Sequence, residues 1–239
     1  MRIEIWSDIA CPWCYIGKRR LETAVDGFEH GDDVEVVYRS FQLDPTAPTT
    51  VTETAQEMLA TRYGVSPAEA AQMQARVTEL AAAEGMAWRH DETLHANTLD
   101  AHRLLHLAKQ EGRQAELKEA LFSANFVHAR NLADHAVLRE IAVGAGLSAD
   151  RVDAVLAGDE FAADVRADVD RARAYGATGV PFFVVDQKYG VSGAQPTELF
   201  AQVLDQAWSA SHPVLQKAGG DARDGATDGA VCGPDGCAI

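Results

Sequence analysis

Cysteine is scarce in this chain. Only Cys11, Cys14, Cys232 and Cys237 occur among 239 residues, too few to staple a protein of this size, so reactive or metal-binding thiols in a reducing compartment are expected. No apolar run approaches the roughly 18 residues of a spanning helix. Charge interrupts Arg2-Ile3-Glu4-Ile5-Trp6, where a secretory leader needs an unbroken apolar stretch, so no signal peptide is expected and the cytoplasm is the expected compartment. Basic side chains are also few: 21 Lys and Arg against 36 Asp and Glu give a net charge of −15. Such a surface repels polyphosphates and anionic bilayers, which argues against nucleic acid and membranes as partners. Repeats, a phosphate-binding glycine motif and a Ser-His-Asp candidate are all missing. With 47% hydrophobic and 24% charged residues, the composition is that of a folded protein holding one large domain, or a core domain with an insertion.

Residues 2 to 8 alternate as a first strand. Pro12 suits the first position of a helix, which puts Cys11 at its N-cap and Cys14 two residues after Pro12. Val34-Glu35-Val36-Val37-Tyr38 reads as a second strand. From Val51 to Tyr175 the pattern is helical, with capping boxes at Thr54 to Glu57 and Ser66 to Glu69. Apolar faces recur at Ala101, Leu104, Leu105 and Ala108, at Leu117, Ala120, Leu121 and Ala124, and at Leu138, Ile141, Ala142 and Ala145. Strands return at Pro181 to Val185 and Tyr189 to Gly193, joined as a hairpin by Asp186-Gln187-Lys188. A last helix runs from Pro196 to about Ser211. The expected organisation is an α/β domain of residues 1–50 and 176–212, an inserted helical domain of 51–175, and a Gly- and Ala-rich tail of 213–239 carrying the second cysteine pair.

A Cys-x-x-Cys at a strand-to-helix junction reads as a redox site. At the N-cap, the Cys11 sulfur is expected to face free backbone amides and the positive end of the helix dipole, which stabilise a thiolate and make it the nucleophile. Cys14, one turn on, is placed to resolve a mixed disulfide. The dipeptide Pro12-Trp13 adds rigidity and apolar surface but no cation, so a more reducing couple than that of the strongest oxidants is expected. An inert buried pair, or half of a zinc site, is the competing reading.

Ser7-Asp8-Ile9-Ala10-Cys11-Pro12-Trp13-Cys14-Tyr15-Ile16-Gly17, Asn97-Thr98 with Ala101-His102-Arg103-Leu104, and Gly176-Ala177-Thr178-Gly179-Val180-Pro181-Phe182-Phe183 together resemble the DsbA-like thiol oxidoreductases of the FrnE type. The likeness runs from residue 1 to about 211. It implies a thioredoxin-like fold interrupted by an α-helical domain, and disulfide exchange with protein thiols. Glutathione and a thioredoxin-type reductant are the candidate redox partners of such an exchange. The likeness also implies a cis Val180-Pro181 bond, with Pro12, Trp13, Val180 and Pro181 shaping the substrate groove. Periplasmic DsbA oxidases carry His where Trp13 stands. Kappa-class glutathione transferases and 2-hydroxychromene-2-carboxylate isomerases share the fold but place serine at Cys11, so a glutathione-dependent enzyme is the second reading, and a chaperone-like or zinc-holding binder the third.

Cys232 and Cys237 enclose a Gly-Pro-Asp-Gly turn that lets their sulfurs meet. An auxiliary redox couple, incidental tail cysteines and a zinc site are the three readings of this pair. His102 and His106, at i and i+4, with His95 and His128, offer a weak metal pattern; a structural support for the active-site face is the favoured role for His102 and Arg103. Met86, Trp88 and Phe126 are read as core rather than groove. No bound metal or cofactor is expected.

Overall fold

In a computed structural model, which describes residues 1–213, four strands form a sheet of order β2-β1-β3-β4. The strands are β1 (Arg2–Ser7), β2 (Glu35–Ser40), β3 (Phe182–Val185) and β4 (Tyr189–Ser192). β1 pairs in parallel with β2, Ile5 opposite Tyr38, and antiparallel with β3, Ile5 opposite Phe183. β3 and β4 form the expected hairpin, and Asp186 and Gln187 turn it at positive φ of 47° and 57°. This is the thioredoxin-like arrangement, with the helical stretch entering between β2 and β3.

Helix α1 (Pro12–Asp26) and the last helix, α9 (Thr197–Ser211), cover one face. Ile3, Ile5, Leu21, Ala24, Phe183, Phe200 and Leu204 form the core there. The seven helices between the sheet's halves are α2 (Ala55–Tyr63), α3 (Pro67–Ala83), α4 (Leu99–Gln110), α5 (Gln114–Phe126), α6 (His135–Gly144), α7 (Ala149–Ala157) and α8 (Ala162–Ala174). Both capping boxes close: Thr54 and Ser66 accept the amides of Glu57 and Glu69, whose carboxylates bind back to the cap amides.

β1 differs from the one-sided strand that its alternation suggests, because α8 packs on the sheet's other face, against β1 and β2. Trp6, Phe182, Val184 and Ala172 fill that side. Glu4 is buried there too, held by Arg39 (Nε to Oε1 2.8 Å) and Arg171 (3.0 Å). A charge within an alternating pattern thus marks a paired interior carboxylate rather than a solvent face. Asp168 ties α8 down, its backbone carbonyl accepting the Trp6 indole N–H (2.7 Å) and its carboxylate the Ser40 amide (3.0 Å).

The three helical faces read from the sequence meet in one large apolar cluster, and Ile9, Cys11, Cys14, Tyr15 and Ile16 belong to that same cluster. The first turn of α1 is therefore clamped between sheet and inserted helices. Gly17 makes the clamp possible: a Cβ there would lie 3.1 Å from Pro181 Cγ and 3.2 Å from Phe183 Cζ. Alanine in a helix interior is favoured over glycine by about 1 kcal/mol, while overpacking a filled site costs about 1–3 kcal/mol. Gly17→Ala is expected to lower the denaturant midpoint, by about 1 kcal/mol of net stability at an unchanged m value; a rise in stability would show that the contact with Pro181 yields freely.

Candidate active site

Cys11 takes the expected N-cap position, with extended backbone (φ −90°, ψ 113°), and Pro12 opens α1. One expected contact is not made: the Cys11 sulfur forms no cap hydrogen bond. Pro12 has no N–H to give, and the Cys14 amide is taken by the carbonyl of Cys11 (3.1 Å) rather than by its sulfur. The Cys11 thiol instead points across to the backbone carbonyl of Val180 at 3.7 Å. The Val180-Pro181 bond is cis, and Pro181 is buried against α1. Cys11, Cys14, Val180 and Pro181 thus converge, while Trp13 projects outward, 40% exposed.

Cys11 and Cys14 are both free thiols, 4% and 1% exposed. Burial holds Cys14 as a thiol well above the usual range, and its contact with Cys11 adds to this, against a favourable backbone hydrogen bond from Asp8 and the charge of Lys118.

The sequence offered His102 as a support of this face but gave Asp8, its partner, no role of its own. Its carboxylate, almost fully buried, accepts the Leu43 amide (2.8 Å) and the Ala10 amide (3.4 Å), and meets His102 Nε2 at 3.3 Å. Burial would raise the Asp8 pKa, but His102 and the Leu43 amide outweigh it and keep the carboxyl below its usual range. Burial lowers His102 more than Asp8 raises it, so the imidazole is neutral and donates its Nε2 hydrogen. The Asp8 backbone carbonyl in turn accepts the Cys11 amide (3.2 Å). Asn97 supports the same region, its side-chain oxygen accepting the Leu99 amide at the start of α4 (2.9 Å) and its amide group donating to the carbonyl of Ala47 (3.0 Å).

The remaining sequence candidates disperse. His106 pairs with Asp168 and Ser40, His95 with Glu53 and Asp44, and His128 is exposed. Arg103 faces the end of α7, binding the carbonyls of Val155, Gly158 and Glu160, so the support of the active-site face falls to His102 alone. Among the described residues no group of His, Cys, Asp and Glu is placed to hold a metal. Met86, Trp88 and Phe126 are core, with Trp88 stacked on Phe126 at 4.7 Å. Cys232 and Cys237 lie outside the described residues.

A family model, the DSBA-like thioredoxin domain, matches residues 2–205. The chain belongs to this family. As a DsbA-like chain it is similar to a crystal structure of the probable DsbA oxidoreductase SCO1869 from Streptomyces coelicolor, with 49% identity, all of this chain and 99% of that one covered, and a TM-score of 0.85. The cytosolic disulfide reductase DsbM from Pseudomonas aeruginosa, solved with GSH, shares the fold at 18% identity and a TM-score of 0.61, over 86% of this chain and 98% of that one. YwbO of Bacillus subtilis is 26% identical over 62% of this chain and 67% of its own. The DsbA-like family is one of thiol-disulfide oxidoreductases, and no helix among the described residues is long and apolar enough to cross a membrane.

The Asp8–His102 pair sets a pH dependence. The folded His102 resists protonation that the unfolded chain accepts near pH 6.5, so its contribution is present above that pH and is lost as pH falls. Unfolding free energy is expected to drop between pH 7 and pH 5, and His102→Gln to drop less over the same interval, with a loss of about 1–3 kcal/mol at pH 7. Equal pH slopes in denaturant titrations of the two proteins would show that His102 carries no such linkage.

Proposed function

We propose that the protein is a cytoplasmic protein thiol-disulfide oxidoreductase acting as reductase or isomerase, with Cys11 as nucleophile and Cys14 as resolving thiol. The observation that carries this is the pairing of a Cys11 thiol aimed at the Val180 carbonyl (3.7 Å) with a Cys14 held protonated by burial. Of two adjacent thiols, the one kept neutral does not attack first. Cys11 as thiolate attacks a substrate disulfide, releasing one substrate thiolate and forming a mixed disulfide. Cys14 then attacks the Cys11 sulfur, loses its proton, forms the Cys11–Cys14 bond and releases the second substrate thiol; a small thiol or a dithiol protein restores the reduced pair.

The backbone of Val180 offers an acceptor beside the reacting sulfur, and main-chain pairing of this kind binds extended peptide with little sequence preference. Trp13, two residues after Cys11, and Leu43, whose amide is bound by Asp8 three residues before Cys11, are both exposed and supply apolar surface. The substrate class this favours is an unfolded or flexible segment carrying a disulfide. Glutathione serves here as a redox partner, in line with the GSH in the DsbM structure.

With a disulfide-linked fluorogenic peptide and glutathione, Cys11→Ser is expected to abolish turnover, and Cys14→Ser to accumulate a Cys11 mixed disulfide visible as a mass increase on the intact protein. Turnover that survives Cys11→Ser would reject the assignment in favour of a glutathione-dependent reaction or a binding role.

A further inference from the structure

Lys118 on α5 is fully buried, and its Nζ has no hydrogen-bond partner among the described residues. Its surroundings are those of the cysteine pair. Nζ lies 4.6 Å from the centre of the Phe122 ring, and that ring stacks at 4.7 Å on Tyr15, the residue after Cys14. Farther along the same face of α5, Asn125 reaches the carbonyl of Ile9 in the loop leading to Cys11 (3.4 Å). α5 therefore lays the stripe Lys118, Phe122, Asn125 along the first turn of α1. Packing does not call for an amine here, since a methionine has similar length and no charge to desolvate.

We propose that Lys118 is the proton partner of Cys14: its buried amine takes the Cys14 proton as Cys14 attacks the mixed disulfide, and returns it when the disulfide is reduced. The inference rests on the reading of Cys11 and Cys14 as the redox pair. The titratable groups whose charge acts on Lys118 are Cys11, Cys14 and Lys18 from α1, Asp8 from the loop before it and His102 from α4. Lys18 is itself neutralised by Glu22 and Glu119. Burial lowers Lys118 to about 8, with the charge on Cys14 the strongest force holding it up. A usable fraction of neutral amine is thus present near neutral pH, where an ordinary lysine has almost none. When Cys14 gives up its proton the two become an ion pair, each stabilising the charged form of the other.

The proton count closes over the cycle. In the resolving step the Cys14 S–H bond breaks and an N–H bond forms on Lys118. The new sulfur–sulfur bond joins Cys14 to Cys11, and the electron pair of the broken mixed disulfide leaves on the substrate sulfur, which is protonated by solvent. Reduction of the pair by a small thiol expels Cys14 as a thiolate, which recovers the proton from the Lys118 ammonium.

The test is a single-turnover reaction of reduced protein with a glutathionylated fluorescent peptide, acid-quenched and read by mass spectrometry from pH 6 to pH 9. Wild type is expected to resolve its Cys11 mixed disulfide faster as pH rises, levelling off above about pH 8. In Lys118→Met the mixed disulfide is expected to persist, resolution at pH 7 falling by about a hundredfold and its pH dependence moving to higher pH, while the thermal midpoint stays the same or rises. Lys118→Arg keeps a cation that does not give up its proton and is expected not to restore the rate. Wild-type rates with no inflection near pH 8, Lys118→Met resolving like wild type, or full rescue by arginine would each overturn the proposal. If wild type forms no Cys11 mixed disulfide at all, the assignment of the redox pair fails as well.

Discussion

The buried carboxylate of Asp8 is the constraint on which the site depends. It joins three segments distant in the chain: the loop entering α1 through the Ala10 amide, the stretch after β2 through Leu43, and α4 through His102. Its own backbone fixes the amide of Cys11. A carboxylate in this position is costly unless its oxygens are satisfied, and here backbone amides and a neutral imidazole satisfy them. The same bonds that make the burial tolerable orient the first turn of α1. Removing one partner from such a buried set costs about 1–3 kcal/mol in typical cases, so the geometry of the cysteines and the stability of the fold are coupled through one side chain.

A second buried polar system lies across the sheet, where Glu4, Arg39, Asp168 and His106 join β1, β2, α8 and α4. The two systems divide the labour between them. The set behind the sheet positions α8 and carries no exposed or free thiol, whereas the set at the cysteines leaves groups with unspent capacity: the Nδ1 of His102 and the Nζ of Lys118. Polar atoms left unpaired in an interior weaken a fold. Of those that bear this cost, His102 contacts Asp8 and Lys118 lies over the Phe122 ring that stacks on Tyr15, so both stand in the layer behind the cysteines.

The fold was largely legible in the sequence because its local signals agree: alternation in the strands, capping boxes at Thr54 and Ser66, Pro12 at the start of α1, and turn residues at Asp186 and Gln187. The cysteine pair was legible for the same reason, as a spacing set on a strand-to-helix junction. What stayed hidden depends on contacts between segments far apart in the chain. Glu4 reads as a solvent-facing residue until α8 covers it, and Asp8 reads as the end of a strand until His102 arrives 94 positions later. Lys118 sits among Leu117, Leu121 and Phe122, where a lysine passes for surface unless both sides of the helix are known to be covered. The placement of the Cys11 sulfur was expected from cap geometry, and it differs because a carbonyl opposite competes for the thiol.

The central claim is that Cys11 and Cys14 form a reversible redox couple. The most direct measurement is a glutathione redox titration of the purified full chain, with the state of each cysteine read by differential alkylation and mass spectrometry. A two-electron transition in which Cys11 and Cys14 disappear together from the alkylated pool, and return together on reduction, is the predicted result. Cysteines 11 and 14 that remain alkylatable across the whole range, or that take up glutathione singly without ever pairing, would contradict it.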